Sequence, residues 1–582
     1  MQVKPLLREV KEYKRDTFLT PLFAALEVVL EVLIPYVTAM IIDKGIDAGN
    51  LHNVYKYGVA MLGMAALSLL FGVGAGWFGA SASTGFARNL RKAMYERIQT
   101  YSFSNIDKFS TAGLITRMTT DVTNVQNAYQ MVLRIAVRAP LTLLFSLIMC
   151  LIISVRISLV FLAVLVVMGV AVAVVGLKTM RLFKEVFKRY DDLNASVQEN
   201  VSAIRVVKAF VREDYEDEKF MQAAFNLYNL FVKAEKRIVL MMPGMMLATY
   251  TVLIATGWMG AHFIVGGTMT TGDLTALFSY VMSTLISLMM LGMIFVMLTM
   301  STASAERISE VLTEEPDIVD PENPLYEVPD GSIRFENVHF TYKKDGEGDE
   351  NLHDIDFAIR SGETIGVIGA TGCGKSTLVS LISRLYDADT GAVYVGGHDV
   401  REYDLQTLRD KVSVVLQKNE LFTGTILDNL RWGKEDATEE ECVCACQIAC
   451  ADEFIREMPD GYQTKIEQGG TNVSGGQKQR LCIARALLKE PKVLILDDST
   501  SAVDTATEAR IRKSFAEDIP DTTKIIISQR IVSVQNADRI LVMDDGGIDG
   551  FDTHERLLET NEIYREIYDT QMNSGGDFDE PM

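Results

Sequence analysis

The densest group of residues that could do chemistry is a glycine-rich segment in the second half of the chain. It reads Gly369-Ala370-Thr371-Gly372-Cys373-Gly374-Lys375-Ser376-Thr377 and matches the pattern G-x-x-x-x-G-K-[ST]. Glycine lets backbone N–H groups approach phosphate oxygens, because no Cβ stands in the way. Lys375 would supply charge to the outer phosphates, and Ser376 would place a hydroxyl on Mg²⁺. The segment therefore predicts a nucleoside triphosphate site.

An acidic pair ends an apolar run further along the chain. Residues 491–496 are apolar apart from Lys492, and Asp497 and Asp498 follow them. Such a run is typical of a buried strand, and a carboxylate at its end can bind Mg²⁺ through water. We assign this role to Asp497.

The elements that must position these groups are short strands and helices. Thr364–Ile368 reads as a strand directly before the loop, and a helix opens at Ser376. Strand, loop and helix in this order are the context that the motif requires. From residue 331 onward, β-branched runs alternate with helical patterns, which predicts an α/β domain.

The first 300 residues have a different composition and hold six apolar runs. Each is close to the roughly 20 residues that a helix needs to cross the hydrocarbon of a bilayer. The six predicted spans are Phe18–Ile42, Val54–Phe78, Ile135–Val155, Ser158–Leu177, Val239–Val265 and Leu274–Met300.

Lysine and arginine are concentrated in the long segments after the second and fourth spans, among them Arg88, Arg91, Arg205 and Lys208. The positive-inside rule places these segments and both termini in the cytoplasm. The first span also holds Glu27 and Glu31 at helical spacing. An intramembrane carboxylate is a functional candidate by default, and pairing within the bundle is the alternative.

The fold prediction is a membrane α-helical bundle with six spans, fused to an α/β P-loop ATPase domain. The predicted parts are an N-terminal interfacial helix (1–15), a transmembrane domain with long cytoplasmic helical extensions (16–315), a linker (316–330), the ATPase domain (331–570) and an acidic tail (571–582). Short helices near Ser110–Leu114 and Val201–Val206 would form the ends of these extensions and could dock on a soluble domain.

Charge argues against a nucleic-acid-binding protein, and the spacing of the cysteines favours buried thiols. The 582 residues carry a formal net charge of −21 without a basic stripe, so we expect no nucleic-acid partner. Cys442, Cys446 and Cys450 recur every four residues, which places them on one predicted helical face. We interpret the cluster as buried thiols, with a metal or redox site as the alternative.

Further motifs resemble those of the ABC exporter family across nearly the whole chain. Asn472-Val473-Ser474-Gly475-Gly476-Gln477-Lys478-Gln479-Arg480 resembles the ABC signature, usually L-S-G-G-Q, and Ser501-Ala502-Val503-Asp504 resembles its D-loop. Gln417 is similar to the Q-loop glutamine, a metal and catalytic residue, and Tyr342 to the aromatic that stacks on adenine. Glu199-Asn200 and the segment 204–210 are similar to the second coupling region of exporters.

The resemblance implies a mechanism for two paired halves. Two ATP molecules with Mg²⁺ would be sandwiched between the phosphate loop of one half and the signature of the other. Closure would switch the membrane domain from inward-facing to outward-facing, and hydrolysis would reset it.

The sequence departs from the family pattern at two catalytic positions. Asp498 stands where the family usually has glutamate, the base that polarises water, and Gln529 stands where it usually has histidine. A displacement of about 1 Å can cost on the order of a hundredfold in rate, and glutamine cannot exchange a proton near neutral pH. Because Ser474 to Gln477 are intact, the pattern predicts a slow site here and a competent site on a different partner half, a heterodimer.

The predicted function is therefore ATP-driven export of a lipophilic or drug-like substrate from the cell membrane. A homodimer, a peptide, lipid or siderophore transporter of the same fold, and an ATP-binding membrane sensor are the alternatives.

Overall fold

A computed structural model describes residues 4–342, 350–498 and 503–573 of the chain. They form two compact units. One comprises Met1–Gln99 and Ser110–Glu314, and the other comprises Thr100–Phe109 and Glu315–Met582. We call them the membrane unit and the ATPase unit.

Residues 4–314 are almost entirely helical. In chain order the helices are α1 (Lys4–Arg8), α2 (Lys14–Ile41), α3 (Leu51–Gln99), α4 (Phe103–Phe109), α5 (Thr111–Thr116), α6 (Val122–Ile153), α7 (Val155–Ser202), α8 (Ile204–Ala209), α9 (Glu213–Val239), α10 (Met241–Val265) and α11 (Thr271–Thr313). Helix α4 belongs to the ATPase unit, and the other ten belong to the membrane unit.

Five stretches among the described residues are long and apolar enough to cross a membrane. They are Lys11–Ile46, Leu51–Gln99, Thr111–Ile153, Pro243–Val265 and Thr271–Ile294. The predicted fourth span lies on α7, where Val155–Ala171 forms a shorter apolar stretch. Helices α3 and α7 are 49 and 48 residues long, far longer than a span, so they have the length to extend beyond a bilayer.

The two glutamates of the first span pair with one arginine of α6. Arg138 donates to Glu27 Oε1 at 2.7 Å and to both oxygens of Glu31 at 2.7 and 2.9 Å. Glu27 is only 7% exposed. Removing one partner of a buried ion pair typically costs about 3–5 kcal/mol, because the other charge stays behind. The contacts favour the pairing alternative for Glu27 and Glu31.

The ATPase unit contains three sheets. Their strands are β1 (Ile333–Phe340), β2 (Leu352–Ile359), β3 (Thr364–Gly369), β4 (Thr390–Val395), β5 (His398–Asp399), β6 (Val412–Val415), β7 (Gly424–Thr425), β8 (Lys465–Ile466), β9 (Val493–Asp497), β10 (Thr523–Ile527), β11 (Arg539–Asp544) and β12 (Gly547–Asp552). The sheet orders are β2-β1-β4-β5, β12-β11-β3-β10-β9-β6 and β7-β8.

The six-stranded sheet carries the site. Strands β11, β3, β10, β9 and β6 run parallel, and only the edge strand β12 is antiparallel. Strands β9 and β10 are buried along their whole length, as expected for central parallel strands that are covered on both faces. Because Ile527 pairs with Asp497, the carboxyl ends of β9 and β10 meet beside the loop that follows β3.

Ten helices complete the described part of the ATPase unit. They are α12 (Lys375–Ile382), α13 (Leu405–Lys411), α14 (Ile426–Leu430), α15 (Glu439–Ile448), α16 (Asp452–Glu457), α17 (Gly475–Leu487), α18 (Thr505–Asp518), α19 (Ile531–Val534), α20 (His554–Thr560) and α21 (Glu562–Asn573).

The cysteine cluster lies mostly inside the core. Cys442, Cys446 and Cys450 are buried, whereas Cys444 is exposed. Burial raises the pKa of Cys446 to about 12. Helix α15 ends at Ile448, so Cys450 follows the helix with a left-handed backbone (φ 53°) and does not extend its face.

Several predicted boundaries differ from the observed elements. The predicted tip near Ser110–Leu114 overlaps α5 in the membrane unit, whereas the segment that folds with the ATPase unit is Thr100–Phe109. The linker packs on the ATPase unit, since Leu325 N–H donates to the carbonyl of Glu402 at 2.8 Å. Helix α21 continues to Asn573, three residues into the predicted tail, and residues 574–582 of that tail lie outside the described residues.

Candidate nucleotide-binding site

The phosphate loop connects β3 to α12 and needs glycine at both ends. Gly369 has φ 154°, and a Cβ there would lie 2.2 Å from the carbonyl oxygen of Met543. Gly374 precedes α12 with a left-handed backbone (φ 95°), and its Cβ would lie 2.9 Å from the carbonyl oxygen of Asn351. Any larger residue would push the loop away from the sheet. Packing and backbone conformation thus explain the two outer glycines of the motif.

The loop is wrapped around the ammonium group of Lys375. Its Nζ donates to the carbonyls of Gly369 at 2.9 Å and Ala370 at 2.7 Å. The residue is only 9% exposed. A buried cation at the start of a helix, beside exposed backbone N–H groups, favours an anionic ligand.

The acidic pair lies beside this loop. Asp497 ends β9, and the Ser376 hydroxyl donates a hydrogen bond to it. Burial raises the pKa of Asp497, and the neighbouring Asp498 raises it further. Burial also raises the pKa of Asp498, against a hydrogen bond from Gln417 and the charge of Lys375. The fold therefore brings Ser376, Gln417, Asp497 and Asp498 together.

A cavity of about 230 Å³ collects these groups. It is lined by Asn351, Thr371, Gly372, Gly374, Lys375, Ser376, Thr377, Gln417, Asp497, Asp498, Ile527, Ser528 and Gln529. Among the predicted residues, Gly369 and Cys373 are buried beneath the loop and do not line the cavity. Five separate segments of the chain contribute to one polar depression, which is the arrangement that a triphosphate site requires.

Tyr342 lies next to the cavity and is 47% exposed. Its Oη is 3.1 Å from Thr377 Oγ1, and its backbone N–H donates to Asn351 Oδ1 at 3.1 Å. Partial burial raises the pKa of Tyr342, so the phenol stays neutral. An open ring face beside the phosphate loop suits stacking of a planar base.

The signature residues form the start of α17. Ser474 caps this helix: its Oγ accepts from Gln477 N–H at 3.2 Å, and Gln477 Oε1 accepts from Ser474 N–H at 2.9 Å. Ser474 and Gly475 are exposed. Within the described residues, the lining of the phosphate cavity includes none of Ser474 to Gln477. We call Ser474–Gln477 the signature face, and Gly369–Thr377 with Asp497 and Asp498 the phosphate-loop face.

Comparisons with known proteins agree with both halves of the fold. A family model described as the ABC transporter transmembrane region matches residues 17–300, and one described as ABC transporter matches residues 352–501. The ABC transporter ATP-binding protein YfiB of Bacillus subtilis is 36% identical over 550 residues, covering 94% of this chain and 95% of that protein.

The chain belongs to the ABC transporter family.

Two further similarities narrow the architecture of this ABC transporter. YheI of B. subtilis, named a probable multidrug resistance ABC transporter ATP-binding/permease protein, is 35% identical over 406 residues, covering 70% of this chain and 69% of that one. The structure of a bacterial Atm1-family ABC exporter with ATP bound has a TM-score of 0.81 and 23% identity. The match covers 98% of this chain and 100% of the other. It establishes similarity of fold only.

The ABC chain is thus a half-transporter of the exporter type, a multi-pass membrane protein whose helical domain is fused to a nucleotide-binding ATPase domain. Its enzymatic activity is ATP hydrolysis coupled to transport, and exporters of this fold work as dimers. The expected fold class is confirmed.

Two residues of the site, Gln571 and Asn351, are not predicted from the sequence. Gln571 of α21 donates through Nε2 to the carbonyl of Gln529 at 2.7 Å and accepts from Ile531 N–H at 2.9 Å. It therefore fixes the backbone on both sides of Arg530. Asn351 lines the cavity and orients Tyr342. Neither belongs to a motif, so the sequence carried no signal for them. Of the predicted D-loop, Ser501 and Ala502 lie outside the described residues.

Proposed function

We propose that this chain is the subunit of a heterodimeric exporter that binds ATP with Mg²⁺ at a slow site of its own and completes the fast site of a partner half-transporter. The substrate would be a lipophilic or drug-like compound. The two faces of the ATPase domain carry the proposal, because one has lost catalytic groups and the other has kept its motif.

The phosphate-loop face supports nucleotide binding better than hydrolysis. Lys375, Ser376 and Asp497 are all close to the cavity, but the residue after Asp497 is the short Asp498, which already bonds Gln417. Gln529, which stands where the family usually has histidine, stays neutral at all accessible pH values. Both changes weaken the activation of water.

The donor set fits Mg²⁺. This ion prefers oxygen ligands and keeps several of its waters. The Ser376 hydroxyl, the Asp497 carboxylate and the Gln417 side-chain oxygen would hold it at the edge of the cavity. When bound, Mg²⁺ would neutralise phosphate charge, while Lys375 and the loop N–H groups would orient the triphosphate.

The signature face supports a role on another chain. Its capped helix has an exposed N-terminus, and the backbone N–H groups at a helix N-terminus favour a phosphate oxygen. In one ATPase domain this face does not contribute to the phosphate cavity. A second half is therefore needed to bring a signature to each triphosphate, and the partner would carry the glutamate and histidine that are missing here.

The membrane half supports export across the cell membrane. The lysine and arginine distribution supports a cytoplasmic location of both termini and of the ATPase domain. A multidrug assignment in the name of YheI supports a lipophilic substrate. We retain 16–315 and 331–570 as the working limits of the two domains.

The experiment that tests the proposal compares two mutations in the assembled, purified transporter in lipid nanodiscs. Replacing the partner's expected catalytic glutamate by glutamine should reduce ATP turnover about a hundredfold, the usual contribution of a general base. Asp498→Ala in this chain should change turnover by less than about threefold, since its site contributes little.

Expression of this chain alone supplies the control. A self-paired complex should hydrolyse ATP slowly. Fast turnover by this complex that Asp498→Ala abolishes would contradict the heterodimer proposal and would support the homodimer alternative.

A further inference from the structure

The segment Thr100–Phe109 lies in sequence between two helices of the membrane unit but folds with the ATPase unit. Ser104 Oγ donates to Asp317 Oδ2 at 2.8 Å, and the buried Asn105 donates through Nδ2 to the carbonyl of Glu315 at 3.1 Å. These contacts fasten α4 to the start of the linker. The segment follows directly in sequence on α3, which ends at Gln99.

A second contact of α4 is made by Tyr386, which follows α12. Tyr386 Oη donates to Asp107 Oδ2 at 2.7 Å, and its ring meets that of Phe103 edge to face, with centroids 6.1 Å apart. Burial raises the pKa of Tyr386, and Asp107 raises it further, so the phenol keeps its proton and remains a donor. A hydrogen bond to a charged acceptor is stronger than one between neutral groups.

The same ring of Tyr386 contacts the nucleotide side of the domain. It meets Tyr342 edge to face, with centroids 5.1 Å apart and an interplanar angle of 87°. Phe340 packs against both tyrosines, with centroids 4.9 Å from Tyr342 and 5.6 Å from Tyr386. Tyr342 in turn touches Thr377 of the phosphate loop. An uninterrupted line of contacts therefore runs from Thr377 through Tyr342 and Tyr386 to Asp107.

We propose that Tyr386 is a positioning residue that makes the docking of α4 depend on the nucleotide base, through its ring contact with Tyr342 and its hydrogen bond to Asp107. The inference rests on the proposed adenine contact of Tyr342. Stacking of adenine fixes the Tyr342 ring, and this ring limits the orientations that are open to Tyr386. A correctly oriented Tyr386 holds Asp107, so the segment Thr100–Phe109 is more stable when a base is bound.

The geometry makes a distinction between base and phosphates. Adenine would act on this line of contacts directly, by stacking on the Tyr342 ring. The triphosphate would lie against the cavity lining, which meets Tyr342 only through the hydroxyl contact with Thr377. ATP should therefore stabilise α4, and inorganic tripolyphosphate should not, even where it fills the phosphate cavity. If any bound anion stabilised the whole domain, ATP and tripolyphosphate would stabilise α4 to the same extent.

Hydrogen–deuterium exchange of the full chain in lipid nanodiscs measures this effect. ATP with Mg²⁺ should slow the exchange of the backbone amides in residues 100–109, and tripolyphosphate with Mg²⁺ should leave it unchanged. In Tyr386→Phe and in Asp107→Ala the ATP-dependent protection should fall about fivefold, the factor expected for one lost hydrogen bond. The double mutant should lose no more than either single mutant, because both remove the same bond.

Two variants serve as matched controls. Asp107→Asn keeps an acceptor oxygen for Tyr386 and should retain most of the protection. Tyr403→Phe removes another tyrosine hydroxyl bond of the same unit, from Oη to the carbonyl of Val395 at 2.8 Å, away from α4. It should leave the protection of residues 100–109 unchanged. A purely structural role of Tyr386 would instead change the exchange equally with and without ATP.

Equilibrium dialysis of ATP on each variant separates the possible outcomes. Unchanged ATP binding together with lost protection in Tyr386→Phe supports the inference. Unchanged binding with unchanged protection, or equal protection by tripolyphosphate, overturns it and leaves the nucleotide site in place. If the Tyr342→Ala variant binds ATP as tightly as the wild-type protein does, the proposed adenine contact is wrong, and this inference fails with it.

Discussion

The phosphate-loop face and the signature face of the ATPase domain hold their functional groups in opposite ways. On the first, Lys375 and Asp497 are buried, and carbonyls or hydroxyls of the same chain already contact them. On the second, Ser474 and Gly475 are exposed at a helix start that is held by a capping box. The first face is suited to bind one ligand by itself, and the second is suited to the proposed contact with a ligand on another chain.

This difference explains why the two faces can diverge in one sequence. A substitution at Asp498 or Gln529 changes only the site of this chain. Under the proposed pairing, a change at Ser474 would damage the site on the partner. If the proposed division of labour holds, the intact face matters more for turnover than the altered one. Three measurements test this difference.

The largest effect should follow from Ser474→Asp. Aspartate caps a helix about as well as serine does, so α17 should persist, but its carboxylate would repel the partner's triphosphate. ATP turnover of the assembled transporter should fall by about a hundredfold or more, comparable to the loss of a key oxyanion donor.

Ser474→Asn is the matched control, because asparagine caps the helix without the charge. It should retain at least about tenfold more activity than Ser474→Asp, while both variants keep the wild-type melting temperature. Equal losses in the two variants would show that charge at this position is irrelevant and would remove the argument for a shared phosphate site.

An intermediate effect should come from restoring the family residues on the other face. Asp498→Glu combined with Gln529→His should raise hydrolysis at this chain's site about tenfold, measured with the partner's own catalytic glutamate replaced. A longer carboxylate and a titratable ring would restore part of the general-base contribution. The pair Asp498→Glu with Gln529→Asn lacks the ring and should gain less. No gain in either variant would locate the defect elsewhere in the site.

The smallest effect concerns stability and pH. Burial raises the folded-state pKa of Asp498 above its ordinary value. The folded state therefore loses stability as the pH rises from the ordinary aspartate pKa to the raised one, and the loss stays constant above it. Asp498→Asn removes this penalty and should raise the melting temperature at pH 7 by no more than about 2 °C, because the group is partly exposed.

A melting curve at several pH values checks this expectation. The advantage of Asp498→Asn should shrink as the pH falls through the raised pKa and should be absent once both the folded and the unfolded carboxyl are protonated. A lower melting temperature of Asp498→Asn at pH 7 would mean that the ionised carboxylate stabilises the fold, contrary to the direction of its pKa.

Local motifs made much of the ATPase domain predictable. The predicted strand Thr364–Ile368 corresponds to β3, which is one residue longer, and the helix after the phosphate loop begins at Lys375. The order of a strand, a glycine-rich turn and a helix is fixed by backbone geometry over about twenty residues. Apolar runs of membrane length were equally readable, because a bilayer imposes one minimum length on every helix that crosses it.

Contacts between distant residues could not be predicted in the same way. Gln571 holds the backbone beside Gln529 across 42 positions, and Arg138 joins Glu27 and Glu31 across more than 100. Nothing in the spacing of these residues marks them, since a single amide or guanidinium has many potential partners. The segment Thr100–Phe109 shows the same limit, because its sequence neighbours belong to the membrane unit.

Residue types and their short-range spacing were enough to predict which chemistry is present: a phosphate loop, an acidic strand end, a signature and apolar helices of membrane length. These follow from residue type and short-range spacing, which act through backbone conformation and solvation. The tertiary structure alone decided which of these groups share a cavity and which remain apart, because that depends on how parallel strands from distant parts of the chain align. It brought Asp497, Asp498, Gln417 and Gln529 to one cavity and kept Ser474 away from it.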